Sequence, residues 1–528
     1  MAIIDNIVIV GGGTAGWMTA ATLVKHFPNK QITLIESPNV PTVGVGESTI
    51  GGINDWLDSL DIDEDDWMKF CDASFKLSIK FTDWSGKGSG GFHYPFGESW
   101  TVGTAHGIND WYIKKAWYPD TPVTDFCDCL YPQMELVYQN KVTKNENDDL
   151  PGWRYDRDVA YHFDAAKLGL WLREEYCKPK GVKHIVGTIN EDIATDKNGV
   201  QYVELTSGER ITADLYIDCT GWKSLLLGKA LEVPFISYSD LLPNNSAWAT
   251  RLPYTDKVNE LEGYTNCTAI SNGWVWNIPL WSRIGTGYVF SDKYISKEDA
   301  LEEFKNYLRN DREVKVDPAV VDSLEYRFIP MRVGIHEEIF HKNVCAIGLS
   351  AGFIEPLESN GLYTVHEFLQ QLVKTLGRRD IGMIDKMGFN RTSLGAFDGF
   401  AEFVSMHYTL SQRSDTQYWI DARERVGGTA QEIGNYKSYG IDNAIYKRDF
   451  SSVFDGTMGG LPLIATGLNY FPIDLNTIKR TEFKHRTKLS FINDVFDIWE
   501  SNKTYWKTVA DKCPTIFEYL TKKYDSSN

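Results

Sequence analysis

Three glycines near the N-terminus have the spacing of a dinucleotide-binding turn. Gly11, Gly13 and Gly16 follow an apolar run at 7–10 and open a segment, 14–27, with helical spacing. The first glycine permits a tight turn, the second lets the backbone approach a pyrophosphate, and the third lets helix and strand pack closely. Amides at the helix start then face the phosphates. The candidate ligands in this turn are Gly11, Gly13, Thr14, Ala15 and Gly16.

An acidic residue stands where a ribose would be bound. Glu36 closes a second predicted strand, 32–36, about 20 residues after the glycines. A carboxylate there grips the ribose hydroxyls and repels a phosphorylated ribose, because two negative charges would meet. The opening of the chain is therefore predicted to be a βαβ unit that binds a dinucleotide.

Later strands favour FAD over a nicotinamide cofactor. Residues 215–221 (LYIDCTG) predict a strand that ends in a turn of small residues, as flavoproteins with two dinucleotide folds have near FAD. A third predicted strand, 344–348, is followed by Ser-Ala-Gly at 350–352. No second GxGxxG segment occurs. A flavoprotein that cannot hold its own nicotinamide must receive its electrons from another protein.

Five segments, in order, resemble the motifs of flavin-dependent halogenases of the tryptophan-halogenase type. They are residues 11–18 (GGGTAGWM), 44–50 (GVGESTI), 74–81 (SFKLSIKF), 273–279 (GWVWNIP) and 353–361 (FIEPLESNG). The fourth matches the WxWxIP motif, which separates these halogenases from related monooxygenases. Weaker similarity continues past residue 410, so the resemblance extends from about residue 5 to at least residue 470.

The resemblance implies a specific chemistry for two residues. Reduced FAD from a separate reductase, O2 and a halide ion would form hypohalous acid, which travels through the protein to a separate substrate site. Lys76 matches the lysine that meets this oxidant, by hydrogen bonding or as a haloamine; an ammonium supplies three donors and a positive charge. Glu358 matches the residue that orients the oxidant or accepts the ring proton. Lys80 is the neighbour most easily confused with Lys76, but the motif spacing favours Lys76.

The same resemblance places a halide beside the flavin. Asn360 and Gly361 match positions whose backbone N–H groups hold the ion, although the family commonly has Thr where this chain has Asn360. That departure leaves the choice among chloride, bromide and iodide open. The loop expected over the flavin contributes three further candidate ligands: Gly46, Glu47 and Ser48.

Aromatic and proline residues are expected along the path of the oxidant. Trp274 and Trp276 are interpreted as tunnel residues that exclude water or keep the substrate away from the flavin, and neither is a candidate acid or base. The full set implied for the tunnel and substrate site is Trp274, Trp276, Pro279, Phe92, Pro356 and Ser359.

The expected substrate site differs from that of the tryptophan enzymes. Gly91 stands where they carry an imidazole, and the C-terminal segment 451–462 is rich in glycine rather than stacking aromatics. Both features indicate a more open site. We therefore predict an electron-rich aromatic substrate, such as an indole, a phenol or a larger scaffold, other than free tryptophan.

The elements that must position these residues define an α/β fold. Further predictions are an amphipathic helix at 164–177, strands at 203–205 and 213–217, and helices at 300–309 and 361–376. Helical patterns dominate after residue 395. The fold class is an FAD-binding, Rossmann-type domain with mixed sheets plus a mainly helical C-terminal substrate region. We divide it into a halogenase module at 1–400 and a closing helical region at 401–528.

Composition limits the partners. The 528 residues carry 54 Lys and Arg against 72 Asp and Glu, a net charge of −18, which disfavours nucleic acid and anionic membranes. No run of about 18 apolar residues predicts a membrane span. The eight cysteines form no CxxC pair, so no metal site is expected and a reducing cytoplasmic location is predicted. Aromatic residues make up 13% of the chain, which predicts either a large aromatic core or a π-binding surface.

Two other functions stay open from the sequence. A flavin-dependent aromatic monooxygenase would give hydroxylated product without halide, and a flavin-binding carrier would turn over nothing. The family resemblance also implies a transient flavin reductase partner and a homo-oligomer.

Overall fold

A computed structural model describes residues 4–39, 47–100, 108–378, 380–424, 460–471 and 489–525. Its architecture confirms the predicted fold class: a mixed α/β core followed by a helical C-terminal region. Gly46 and residues 451–459 of the glycine-rich segment lie outside the described ranges.

A largely parallel sheet carries the N-terminal βαβ unit. Six described strands pair in the order Phe340–His341, Val344–Ala346, Leu215–Asp218, Asn6–Val10, Gln31–Glu36 and Lys183–Val186. Only the first pair is antiparallel. The four inner strands are almost wholly buried because helices cover a parallel sheet on both faces, which explains their continuous apolar runs.

A second, mainly antiparallel sheet forms the other half of the core. Seven strands within the described ranges pair in the order Arg327–Pro330, Ser246–Leu252, Ile284–Phe290, Gly273–Pro279, Tyr264–Ile270, Ser78–Thr82 and Gly91–Pro95. Tyr264–Ile270 and Ser78–Thr82 run parallel. This sheet holds the GWVWNIP segment as an interior strand.

Small sheets complete the described strands. One consists of Glu47–Ser48, Ala160–Phe163 and Ser74–Lys76, with Ala160–Phe163 in the middle. The other two are Arg210–Ile211, Gly199–Glu204 and Ala194–Asp196, and Phe235–Ser237, Gly334–His336 and Gly352–Phe353.

Helices cover both large sheets. The described α-helices are Thr14–His26, Ile53–Ser59, Glu64–Trp67, Ile108–Trp117, Asp125–Leu130, Met134–Tyr138, Tyr155–Asp158, Ala165–Trp171, Lys257–Glu260, Lys297–Asn306, Pro318–Ser323, Asn360–Leu376, Met383–Thr409, Gln417–Glu424, Leu461–Gly467, Leu489–Asp511 and Ile516–Asp525. None in the described part of the chain is long and apolar enough to cross a membrane.

Most of the aromatic excess is core. The largest fully buried side chains are mainly tryptophans, among them Trp17, Trp84 and Trp419. Trp84 packs edge-on against Trp419 with ring centroids 5.4 Å apart, a favourable arrangement of two ring quadrupoles. This resolves the two interpretations of the composition largely in favour of packing.

Candidate active site

Lys76 is a buried lysine held by three contacts. It ends the strand Ser74–Lys76 and is fully shielded from solvent. Its Nζ donates to the carbonyl oxygen of Thr49 at 2.8 Å and to Ser359 Oγ at 2.7 Å. The same nitrogen lies 4.9 Å from the centroid of the Phe96 ring, within cation–π range.

The surroundings of Lys76 bring its pKa close to neutral pH. Burial lowers the pKa of Lys76 to about 7, and the nearby carboxylate of Glu358 opposes this by favouring the ammonium. A lysine can shift in this way, whereas an arginine stays charged. Lys80, by contrast, is partly exposed, with Nζ 5.4 Å from the Tyr264 ring centroid and 3.9 Å from Glu313 Oε2.

Glu358 is a second buried ionisable group at the same place. It closes a short turn, Pro356–Glu358, and only 2% of the residue is exposed. His407 Nε2 lies 2.6 Å from Glu358 Oε1, in contact but without hydrogen-bond alignment. The other ring nitrogen, Nδ1, is 3.2 Å from the carbonyl oxygens of Phe403 and Val404 one turn earlier in its helix. His407 therefore packs against one side of the carboxylate.

An aromatic cavity opens beside these groups. Its volume is about 560 Å³, enough for an indole or a larger ring system. Glu358 reaches its wall, together with the rings of Tyr94, Phe96, Phe400 and Phe403, while Asp55, Arg157 and Asp158 add charged groups.

Phe92, predicted to form a wall of this site, is placed differently. It shares a strand face with Tyr94 but lies further along, stacked on Phe81 at 5.3 Å between centroids. Gly467 fits so closely against the Phe92 ring that an added Cβ would lie 2.1 Å from it. Among the described residues the cavity wall is formed by Tyr94 and Phe96 instead, because the helix Leu461–Gly467 covers Phe92.

The helix that follows Glu358 begins without a side-chain cap. Ser359, at its N-terminus, has a left-handed backbone (φ +59°), and its hydroxyl contacts Lys76 and Ser48 rather than the helix amides. The helix, Asn360–Leu376, has no acidic residue in its first turn. The N–H groups of Asn360 and Gly361 are thus at a helix end that favours an anion. The Asn360 side chain is buried, with Nδ2 3.5 Å from the carbonyl oxygen of Ile354.

The glycine turn fits a dinucleotide. The helix Thr14–His26 also lacks a side-chain cap and an acidic first turn, which leaves its N-terminal amides for phosphate. A Cβ on Gly13 would meet nothing within 4 Å, whereas one on Gly16 would lie 1.9 Å from the Gly11 carbonyl oxygen. Gly13 therefore borders open space, and Gly16 serves close packing. Thr14 Oγ1 donates to the Ala165 carbonyl oxygen at 2.9 Å, so Thr14 offers only its backbone N–H to a phosphate. Ala15 packs against Gly348, in the turn after the strand Val344–Ala346.

Gly13→Ala and Gly11→Ala should separate cofactor binding from stability. Gly13 has φ −74° and room for a methyl group, so we expect unfolding free energy to change by less than about 0.5 kcal/mol and flavin affinity to fall about tenfold. Gly11 has φ +117°, and a Cβ would lie 2.2 Å from the Cys219 carbonyl oxygen; we expect a loss of about 2–5 kcal/mol. Denaturant unfolding and quenching of flavin fluorescence measure the two effects. Equal flavin affinity in wild type and Gly13→Ala would contradict this assignment.

Glu36 borders the glycine turn, whereas Glu47 lies near Gly361. Glu36 ends the second strand against Gly12, and its Oε2 contacts His184 Nε2 at 2.9 Å and Arg173 Nη1 at 3.4 Å. These contacts orient the carboxylate at the position predicted for ribose binding. Desolvation, reinforced by Asp164, raises the pKa of Glu47 to about 7.

The remaining predicted residues lie on the strand Gly273–Pro279 and on the turn that carries Glu358. Trp274 and Trp276 lie in the interior strand Gly273–Pro279, with ring centroids 6.3 Å apart. Trp274 Nε1 lies 3.5 Å from Glu355 Oε2. Pro279 ends the strand and its carbonyl oxygen accepts from Ser74, and Pro356 begins the turn that carries Glu358.

Sequence reasoning missed several residues of this site. His407, Tyr94, Phe96 and Phe403 touch Glu358 or the cavity, and none was a candidate. The i, i+4 spacing of Phe403 and His407 predicts only a shared helix face, which does not by itself mark a functional site.

Comparisons with known proteins identify the family. The profile of the family described as tryptophan halogenase matches residues 6–448. Tryptophan 6-halogenase SttH of Streptomyces toxytricini is 37% identical over 455 residues, which is 82% of this chain and 84% of SttH. The chain therefore belongs to the tryptophan halogenase family, whose members are flavin-dependent enzymes.

Solved structures agree over nearly the whole chain. The apo structure of VirX1 superimposes with a TM-score of 0.89 at 36% identity, covering 98% of this chain and 99% of VirX1. A tryptophan C-6 flavin-dependent halogenase from taromycin biosynthesis gives a TM-score of 0.83 at 30% identity, covering 98% and 99%.

Proposed function

We propose that the protein halogenates an electron-rich aromatic compound with hypohalous acid, using Lys76 and Glu358. The observation that carries this proposal is a buried lysine and a buried carboxylate that interact electrostatically, with the carboxylate on the wall of an aromatic cavity. When bound, FAD supplied in reduced form by a separate reductase provides the activation of O2 that oxidises the halide. Asn360 and Gly361 would hold the halide through their backbone N–H groups.

Each residue has a defined task in the substitution. One N–H of Lys76 points at the oxygen of HOX and draws electron density from the halogen. The aromatic carbon forms its bond to the halogen as the O–X bond breaks, and the departing hydroxide takes a proton from the Lys76 ammonium to leave as water. Glu358 accepts the proton that the ring carbon loses and returns it to the Lys76 amine, so that ArH and HOX become ArX and water.

The buried strand Gly273–Pro279 would keep this chemistry dry. Trp274 and Trp276 present large apolar rings next to the turn that carries Glu358. Trp274 Nε1 donates a hydrogen bond to Glu355, which precedes this turn. We propose that they line the path of the oxidant and exclude water, which would otherwise compete for it.

The substrate is proposed to be an indole, a phenol or a larger aromatic scaffold other than free tryptophan. Gly91, which replaces an imidazole of the tryptophan enzymes, packs against the Lys80 side chain and contributes nothing to the cavity wall. The second candidate is free tryptophan, which the name of the relative SttH favours.

Product analysis with matched substrates distinguishes these candidates. Enzyme, FAD, a flavin reductase, NADH and bromide are incubated with indole, a phenol or free tryptophan, and brominated products are identified by their isotope pattern. We expect indole or the phenol to react at least about tenfold faster than tryptophan, a difference of about 1.4 kcal/mol in activation free energy. Efficient bromination of free tryptophan at one position would favour the second candidate. Halide-independent hydroxylation would instead indicate a monooxygenase.

Halide choice is tested in the same assay. Equimolar chloride, bromide and iodide compete for the site at Asn360 and Gly361, and the product ratio reports the preference. We propose a preference for bromide or iodide, because Asn360 replaces the Thr that is common in the family and thereby changes the shape of the halide pocket.

A further inference from the structure

A chain of buried hydroxyl groups connects Lys76 to a histidine. Ser359 Oγ, which accepts from Lys76 at 2.7 Å, donates to Ser48 Oγ at 3.0 Å. Ser48 Oγ is 2.6 Å from Thr265 Oγ1, and Thr265 Oγ1 is 2.9 Å from His162 Nε2. All five residues are buried, His162 completely. Because these residues are shielded from solvent, water does not compete for their hydrogen bonds.

Strand pairing fixes the geometry of this chain. His162 lies in the middle strand of the small sheet, directly opposite Ser48 on one side and Ser74 on the other. Lys76 is two residues after Ser74 and therefore shares its face of the sheet. Thr265 lies in the strand Tyr264–Ile270 of the adjoining large sheet. This strand pairs in parallel with Ser78–Thr82, the strand that follows Lys76.

The donors and acceptors of the chain take one direction when the neutral imidazole of His162 carries its proton on Nδ1. That nitrogen faces Ser74 Oγ at 3.5 Å, and the ring also makes a hydrogen bond to the Pro279 backbone. Nε2 then only accepts, and because each hydroxyl has one proton, Thr265 donates to Nε2, Ser48 to Thr265 and Ser359 to Ser48. Burial, and next the charge of Lys76, hold the pKa of His162 well below its ordinary value, so that the ring stays neutral.

We propose that His162 and Thr265 are positioning residues for Lys76, acting through Ser48 and Ser359. The neutral imidazole fixes the direction of three hydroxyl protons, so Ser359 presents only a lone pair to the Lys76 ammonium. Two N–H groups are then held by Thr49 and Ser359, and the third is left for the oxidant. This inference rests on the role proposed above for Lys76.

The charged and titratable groups around Lys76 can be named by element. Glu358 approaches from its turn, Cys267 from the strand Tyr264–Ile270 and His162 from the middle strand. Burial and Lys76 oppose each other at Cys267, with burial the larger effect, so the pKa of that thiol is raised and it stays neutral. Glu358 is thus the only carboxylate named here that acts directly on Lys76.

Thr265→Val and Thr265→Ser are matched tests of this proposal. Valine keeps the shape and removes the hydroxyl, whereas serine keeps the hydroxyl. Without the Thr265 hydroxyl, the direction of the hydrogen bonds is no longer fixed, and Ser359 Oγ becomes a weaker acceptor for the Lys76 ammonium. We therefore expect the pKa of Lys76 to fall by about 0.5–1 unit in Thr265→Val and to stay unchanged in Thr265→Ser.

The titration can be read without turnover. Cyanate carbamylates neutral amines, so the pH dependence of labelling at Lys76, followed by peptide mass spectrometry on the full-length protein, gives its pKa. Because a lower pKa leaves more neutral amine, the labelling midpoint should move to lower pH in Thr265→Val only. His162→Phe should give the same shift, and the double variant no more than either single change.

Outcomes separate this inference from the proposed function. Identical midpoints in wild type, Thr265→Val and Thr265→Ser would overturn the inference, as would additive shifts in the double variant. A shifted midpoint with an unchanged pH profile of halogenation would support the hydrogen-bond chain and contradict the proposed role of Lys76. Thermal unfolding of each variant shows whether a shift comes with a loss of fold, which a purely structural role would require.

Discussion

Replacing Lys76 by methionine is expected to lower the rate of aromatic halogenation by about 10²–10⁴-fold, the usual range for a group that donates a proton or hydrogen bond in the transition state. Methionine fills similar space, so the strand Ser74–Lys76 should keep its packing. Flavin oxidation should continue, because the role proposed for Lys76 comes after the oxidant has formed. Hypohalous acid released to solution, measured with a chemical scavenger, should therefore rise as halogenated product falls.

Lys80→Met is the matched control. Lys80 lies four residues later, partly exposed beside Tyr264 and Glu313, and its loss should change the rate less than about twofold. The pH profile gives an independent check. If the ammonium of Lys76 is the active form, wild-type halogenation should be highest below its pKa of about 7 and decline as pH rises through that value. Retained halogenation in Lys76→Met would refute the assignment.

Glu358→Gln is expected to lower halogenation by a similar factor, about 10²–10⁴-fold. Glutamine keeps the shape of the side chain and its contact with His407 but cannot accept the ring proton. Single-turnover product formation, measured with flavin oxidation in the same sample, isolates the chemical step. Flavin oxidation is expected to be unchanged.

Glu355→Gln tests whether another buried carboxylate of this segment could accept the ring proton. Glu355 is three residues earlier and fully buried, but its Oε2 accepts from Asn244 at 2.6 Å and faces Trp274 rather than the cavity. We expect its replacement to cost stability more than halogenation. A larger loss of halogenation in Glu355→Gln than in Glu358→Gln would reverse the two assignments.

Local patterns predicted the opening βαβ unit of the fold well. The strand at 7–10, the helix at 14–27 and the strand at 32–36 appear as Asn6–Val10, Thr14–His26 and Gln31–Glu36. Burial on both faces and the glycine turn act over a few residues, so sequence alone reveals them. The helix expected at 164–177 is regular only over Ala165–Trp171 and continues as a wider turn over Leu172–Cys177.

The candidate site was predictable only where a motif marked it. Motifs identified Lys76 and the turn at 356–361, and the structure brings Lys76 against Ser359, 283 positions away. His162, Thr265 and His407 carry no local signal, because a buried histidine or threonine in a strand or helix looks the same whether or not it contacts a functional group. The surroundings of Phe92 were not predictable for a related reason: strand alternation gives the face of a residue but not what covers it.

The long helix Met383–Thr409 has a consequence for engineering. It passes through residue 400, where we divided the chain, and it carries Phe400 and Phe403 of the cavity together with His407. Its 27 residues span about 40 Å, so this rod cannot be cut without losing its cooperative hydrogen bonding. A chimera that exchanges C-terminal regions between relatives should therefore join after Leu410, which keeps the cavity wall with Glu358, the carboxylate proposed to act on the substrate.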